Sequence, residues 1–169
     1  VAPIRKELGV KTFFNMLGPM VNPSKPKYQM VGVYSLELAR LFAYLYQKED
    51  RKYTILHALE GYDEISLTCD FKTYTNKGEE LHSLSSLGFQ RIDPKTIAGG
   101  STVPESASIF RSVLKGEGTT EQNNVVLANA ATAIKTIKSE KSFADCFYEA
   151  EESLLNKGAL NSFNTLLNN

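Results

Sequence analysis

Apolar and polar positions change period several times along the chain, and each change predicts an element. Residues 28–34, Tyr-Gln-Met-Val-Gly-Val-Tyr, form a short apolar run that reads as a buried strand, and residues 36–47 place Leu38, Leu41, Phe42 and Leu45 at helical spacing. A second apolar run at 53–59 reads as another strand. Strand, helix, strand in that order predicts a parallel pair joined by a crossover helix. Residues 65–74 are rich in β-branched and aromatic side chains and end at Asn76-Lys77-Gly78, with 79–84 beyond them. That pattern predicts a hairpin whose loop of three to five residues takes positive φ at Asn76 and Gly78, an excursion beside a site. From Pro104 the apolar spacing is helical, over 105–114, 121–137, 143–156 and 160–167. Ser142 ahead of Asp145 predicts a capping box, and Gly158 a helix stop. Near the start, Gly18-Pro19 and Asn22-Pro23 are loop signals that end the stretch 11–17. The fold class expected is α/β, a partial parallel sheet with flanking helices, a hairpin excursion and a helical C-terminal third.

Composition narrows the classes. The 169 residues, 42% of them hydrophobic, are enough for one domain with its own core and no disulfide staples. Cys69 and Cys146 do not form a CxxC pair and cannot complete a zinc site, which favours a reducing, cytoplasmic compartment. The 19 basic and 19 acidic residues cancel, so composition supports neither a DNA-coating protein nor a polybasic membrane binder. The longest uncharged runs, 12–24 and 122–134, have 13 residues each, short of the roughly 20 that span a bilayer. No charged start with an apolar stretch behind it marks a secretory signal. Val1 in place of an initiator Met fits processing, tag removal or a start inside a longer protein.

Motifs are sparse. There is no P-loop, GxGxxG, HExxH or GxSxG, and His57 and His82 are not spaced as metal ligands. Gly99-Gly100-Ser101 reads as a connecting turn ahead of a helix. Asp63 and Glu64 follow the strand ending near Leu59, beside Gly61, and so lie at the carboxyl end of a strand, where ligands bind in α/β sheets. In a loop the two carboxylates can converge on a hard cation such as Mg²⁺; the alternative is a solvated acidic pair. Arg5, next to Lys6, is either a solvated cation or a planar fork for a substrate carboxylate.

Three segments together resemble a known family. They are Val1-Ala2-Pro3-Ile4-Arg5-Lys6-Glu7-Leu8-Gly9-Val10-Lys11-Thr12-Phe13-Phe14-Asn15-Met16-Leu17-Gly18-Pro19 with Asn22-Pro23; His57-Ala58-Leu59-Glu60-Gly61-Tyr62-Asp63-Glu64-Ile65-Ser66; and a set running from Gly99-Gly100 and Glu105-Ser106-Ala107 through Val126-Leu127-Ala128-Asn129-Ala130-Ala131 to Lys157-Gly158-Ala159-Leu160. In order and content they resemble the anthranilate phosphoribosyltransferases of tryptophan biosynthesis. The resemblance implies Mg²⁺-dependent transfer of phosphoribosyl from phosphoribosyl pyrophosphate to the amine of anthranilate. It also implies that Arg5 holds the anthranilate carboxylate, that Gly18 and Pro19 form part of the wall over its ring, and that Asp63 and Glu64 bind the metal. No protein nucleophile is required, so no catalytic side chain is assigned. Lys11 stands where the family has Arg, and Ser106 where it has Asn.

The family's N-terminal helical domain and Gly-Thr-Gly-Gly-Asp phosphate loop do not occur in this sequence. Residues 1–169 are therefore expected to be the C-terminal part of the large α/β domain, inactive alone, with an open sheet edge that invites association. The full-length enzyme is expected to be a homodimer that uses neither nucleic acid nor membrane. A pyrimidine nucleoside phosphorylase, a non-catalytic nucleic-acid-binding relative of the same fold, and one half of a split enzyme are the competing readings.

Overall fold

The computed structural model describes residues 18–168; Arg5 and the stretch 11–17 lie outside them. Strand β1 (Tyr28–Gly32) leads through helix α1 (Leu36–Tyr46) to strand β2 (Lys52–Ala58), and β1 and β2 pair in parallel with Val31 opposite Ile55. This is the strand-helix-strand unit expected from the sequence. Ser35 starts α1, its Oγ accepting from the Leu38 N–H at 3.2 Å.

The hairpin is real but built differently. Strands β3 (Phe71–Thr75) and β4 (Gly78–His82) are antiparallel to each other, and β3 is antiparallel to β2, so the sheet order is β1-β2-β3-β4. It extends the sheet, with its turn at the start of β2 and away from Asp63 and Glu64, rather than forming an excursion beside them. Thr75 pairs with Gly78 across a two-residue turn, and Asn76 keeps a negative φ. Asn76 contributes through its side chain: Oδ1 accepts from the Tyr53 N–H at 3.0 Å and Nδ2 donates to the Arg51 carbonyl at 2.9 Å. Strand β3 starts at Phe71, because residues 65–70 form a buried loop in which Leu67 takes φ 58°. Ser66 and Thr68 share a hydroxyl hydrogen bond of 2.7 Å there, and the Thr68 hydroxyl donates to Glu60 at 2.9 Å. These local bonds satisfy groups that a longer strand would have used.

Four helices follow: α2 (Val103–Leu114), α3 (Thr120–Ile137), α4 (Phe143–Leu155) and α5 (Gly158–Leu167). The capping box at Ser142 is present, with Oγ accepting from the Asp145 N–H at 3.0 Å and the Asp145 carboxylate accepting from the Ser142 N–H. Gly158 does not stop α4; Lys157 takes the left-handed turn at φ 62°, and Gly158 is the first residue of α5. Ahead of α2, Glu105 accepts from the N–H groups of Ser101 and Thr102 at 2.7 and 3.2 Å, so the Gly99-Gly100-Ser101 turn closes on the helix's own carboxylate.

Helix α1 covers one face of the sheet and α3 the other. Tyr53 and Ile55 of β2 join Leu38, Phe42 and Tyr46 on the α1 side; Leu56 and Ala58 join Phe71 and Ala128 on the α3 side. Burial on both faces explains why β2 is nearly continuously apolar. Leu127, Ala150 and Leu154 knit α3 to α4 in a third cluster. Cys69 and Cys146 are free and buried, and no helix among the described residues is long and apolar enough to cross a membrane.

Candidate active site

The carboxyl ends of β1 and β2 are where the loop carrying Asp63 and Glu64 is assembled. After Ala58 the chain makes a tight turn in which the Gly61 N–H donates to the Ala58 carbonyl at 2.9 Å, and Gly61 takes φ 98°, a conformation open to glycine. The Ala58 N–H donates to the Tyr62 carbonyl at 3.0 Å, which carries Asp63 back over β1. There the backbone lies directly on Gly32: a Cβ at that position would stand 1.6 Å from the Asp63 carbonyl oxygen. The glycine at the end of β1 therefore makes room for the loop.

Asn129 of α3 holds the other side. Its Oδ1 accepts from the Ile65 N–H at 2.9 Å, and its Nδ2 donates to the carbonyls of Ile65 and Val125, each at 2.9 Å. One side chain thus takes both backbone groups of the residue after Glu64. With Gly32 beneath and Asn129 beside it, the segment is held at both ends while Asp63 and Glu64 remain exposed. Neither carboxylate has a hydrogen-bond or ion-pair partner among the described residues. Two free hard-oxygen donors suit Mg²⁺, which keeps several waters and takes its remaining ligands from substrate phosphates. No cluster of three or more metal-ligating side chains occurs among the described residues, so the share these residues offer is the pair.

Beside the pair, on the α1 face, Tyr34, Ser35, Glu37, His57, Glu60 and Gly61 line an open depression of about 470 Å³. The His57 ring is buried, with Nδ1 2.8 Å from the Val33 carbonyl oxygen. A carbonyl can only accept, so Nδ1 carries a proton. His57 thereby ties β2 to the chain leaving β1, next to the Val33 N–H that donates to Leu56 at 2.9 Å.

Gly18 and Pro19 are not brought to this place. The Pro19 carbonyl accepts from Gln29 Nε2 at 2.7 Å and from the Tyr46 hydroxyl at 3.3 Å. Gln29 is near the start of β1 and Tyr46 ends α1, so Gly18 and Pro19 lie toward the opposite end of β1 from Asp63. Arg5 is outside the described residues. Two positioning residues were missed as such in the sequence. A glycine ending an apolar strand is a signal for close backbone approach, whereas an Asn within a helix gives no sign of which loop it will meet.

A family model described as glycosyl transferase family, a/b domain, matches residues 1–160. The chain belongs to this family. It is 54% identical over 166 residues to the anthranilate phosphoribosyltransferase of Christiangramia forsetii, covering 98% of this chain and 50% of that protein, and matches the Flavobacterium psychrophilum enzyme to the same extent. The fold matches anthranilate phosphoribosyltransferase from Thermus thermophilus at TM-score 0.84 and 29% identity, over 95% of this chain and 48% of that one. It matches the Saccharomyces cerevisiae enzyme, in complex with PRPP and Mg, at TM-score 0.86 and 27% identity, over 96% and 47%. The chain spans about half the length of the curated relatives it matches. These glycosyl transferase family relatives share its α/β sheet with flanking helices.

Proposed function

We propose that these residues are part of an anthranilate phosphoribosyltransferase, a pentosyltransferase that moves phosphoribosyl from phosphoribosyl pyrophosphate to the amine of anthranilate in tryptophan biosynthesis. The observation that carries this reading is the exposed Asp63-Glu64 pair, positioned by Gly32 and Asn129 at the carboxyl end of the parallel strands. The relatives' names supply the substrates, and the yeast complex with PRPP and Mg supports the metal. Asp63 and Glu64 would hold Mg²⁺ there, which supplies charge neutralisation for a pyrophosphate leaving group.

Displacement at the ribose carbon leaves little covalent work for side chains, so positioning and electrostatics carry the rate. The chain's part is to keep two carboxylates exposed and fixed in register. Arg5, with its planar guanidinium, is assigned to the anthranilate carboxylate, and Gly18 and Pro19 to the wall over its ring. The enzyme is assigned to the cytoplasm as a homodimer that needs neither nucleic acid nor membrane, and the 169 residues alone are assigned no activity.

The test follows anthranilate fluorescence after addition of phosphoribosyl pyrophosphate and Mg²⁺, on the 169 residues and on the protein extended upstream to its gene start. Turnover by the extended protein alone is the expected result; turnover by neither removes the acceptor assignment. In the extended protein, Asp63→Asn with Glu64→Gln is expected to lower kcat/KM by about a hundredfold or more. Unchanged activity in that variant would refute the metal assignment.

A further inference from the structure

The α3 side of the sheet holds a second cavity, of about 520 Å³, that shares no residue with the Asp63-Glu64 loop. Its floor is the β3–β4 hairpin. Helix α3 packs mainly over β1 and β2 and forms one wall of the cavity through Thr132, Lys135 and Thr136. Strand register orders the floor into rows. Thr54, Thr75 and Gly78 lie in the row nearest the turn, Leu56, Thr73 and Glu80 in the next, and Ala58, Phe71 and His82 in the last.

The two ends of the cavity differ in chemistry. Lys52 and Lys77 are at the turn end, and Lys77 Nζ reaches across to donate to the Ser139 carbonyl at 3.1 Å. Lys135 enters from α3 and donates to the Lys141 carbonyl at 2.7 Å. An ammonium has three donors, so each of these two lysines keeps donors to spare. At the other end Phe71, Leu87 and Phe143 are apolar, and the His82 ring stacks on Phe71 at 4.8 Å with its Nε2 2.8 Å from the Thr73 hydroxyl. Glu80 is the one acidic lining residue, and it faces His82 at 3.8 Å. The volume is in the range of small-molecule sites. A packing defect would be small and apolar; a cavity this large, with Lys52 and Lys77 toward the turn, Lys135 on its helical wall and aromatic carbon away from the turn, has the polarity of a ligand.

We propose that this cavity binds a small organic carboxylate with an apolar body, its acid group among Lys52, Lys77 and Lys135 and its body against Phe71, Leu87 and Phe143. The site is separate from the carboxylate pair, on the opposite face of the sheet from the depression beside His57.

The probe is 3-phenylpropionate, titrated into the protein extended to its gene start and followed by amide chemical shifts. The amides of Thr73, His82 and Thr136 are expected to shift, with a dissociation constant on the order of 1 mM. 3-Phenylpropan-1-ol, which keeps the body and lacks the charge, is expected to bind roughly tenfold more weakly, as is the acid to the Lys77→Gln/Lys135→Gln variant. Absence of shifts at these amides up to about 10 mM acid, or shifts confined to the Asp63 loop, overturns the proposal. Equal binding of acid and alcohol also overturns it. Should the double variant lose its folded spectrum, the acid and alcohol comparison on the wild-type protein decides the matter alone. Transfer activity is not part of the readout, so the result stands whether or not the proposed reaction is confirmed.

Discussion

At the scale of single residues, the candidate site depends most on a side chain that is missing. Gly32 has no positive φ to relieve, and its value is space, since the Asp63 carbonyl occupies the position of its Cβ. Replacing it with alanine forces the loop off β1. Gly32→Ala in the extended protein is expected to raise the apparent dissociation constant for Mg²⁺ at least about tenfold and to cost about 1–3 kcal/mol of stability. Activity titrated with Mg²⁺, together with urea unfolding, checks both; unchanged Mg²⁺ dependence would show that the loop is placed by other contacts. Asn129 acts on the same segment from the other side through two hydrogen bonds of 2.9 Å to Ile65. The carboxylates themselves were legible in the sequence because of their place after an apolar strand. Their supports were not, since a hydrogen bond between Asn129 and Ile65 spans 64 residues and leaves no local trace.

At the scale of elements, local chemistry and tertiary contact divide the outcome. The capping box at Ser142 formed where the sequence put it, because donor and acceptor are three residues apart and need nothing else. The hairpin formed with Gly78 at positive φ, as expected, but Asn76 departs from its expected role. A positive-φ Asn turn was anticipated, and Asn76 instead uses its amide to join the turn to Arg51 and Tyr53. Removing that amide unfastens β3 and β4 from the start of β2 and leaves the Tyr53 N–H without its acceptor. Asn76→Ala is expected to destabilise the fold by about 1–2 kcal/mol, measured by urea unfolding, with Mg²⁺ dependence unchanged because the turn is remote from Asp63. A loss below about 0.3 kcal/mol would mean that water replaces both bonds. Likewise, the β-branched run at 65–70 is strand-like in composition, yet Leu67 in the left-handed region and the Ser66, Thr68 and Glu60 bonds make it a buried loop.

At the scale of the whole molecule, charge and burial combine into a pH dependence. Burial pushes the His82 pKa below its ordinary value; Glu80 opposes the shift from β4 and Lys135 adds to it from α3. The unfolded chain therefore takes up the His82 proton at higher pH than the folded one, and stability falls as pH drops from about 6.5. The carboxyls of Glu79, Asp145 and Glu149 are held below their ordinary values by Lys72, by Ser142, and by Lys138 with Lys141, respectively. Their contribution is present above the ordinary carboxylate range and is lost only nearer pH 4 and below. Urea unfolding across pH is expected to show the earlier loss of stability in the wild-type chain and not in His82→Gln. The same loss in both would assign it to another group.

Patterns of period two and three to four determined, by themselves, the β1-α1-β2 unit and the positions of the four later helices, because apolar spacing selects a face before any partner is known. The sequence also placed an acidic pair at the carboxyl end of a strand, and its resemblance to a family named the chemistry. Tertiary structure alone decided that the hairpin completes the sheet, that Gly32 and Asn129 hold the acidic loop, and that a basic and aromatic cavity lies over β3 and β4. Each of these depends on groups far apart in the chain, and such pairs become neighbours only when the layers of the sheet and helices close on one another.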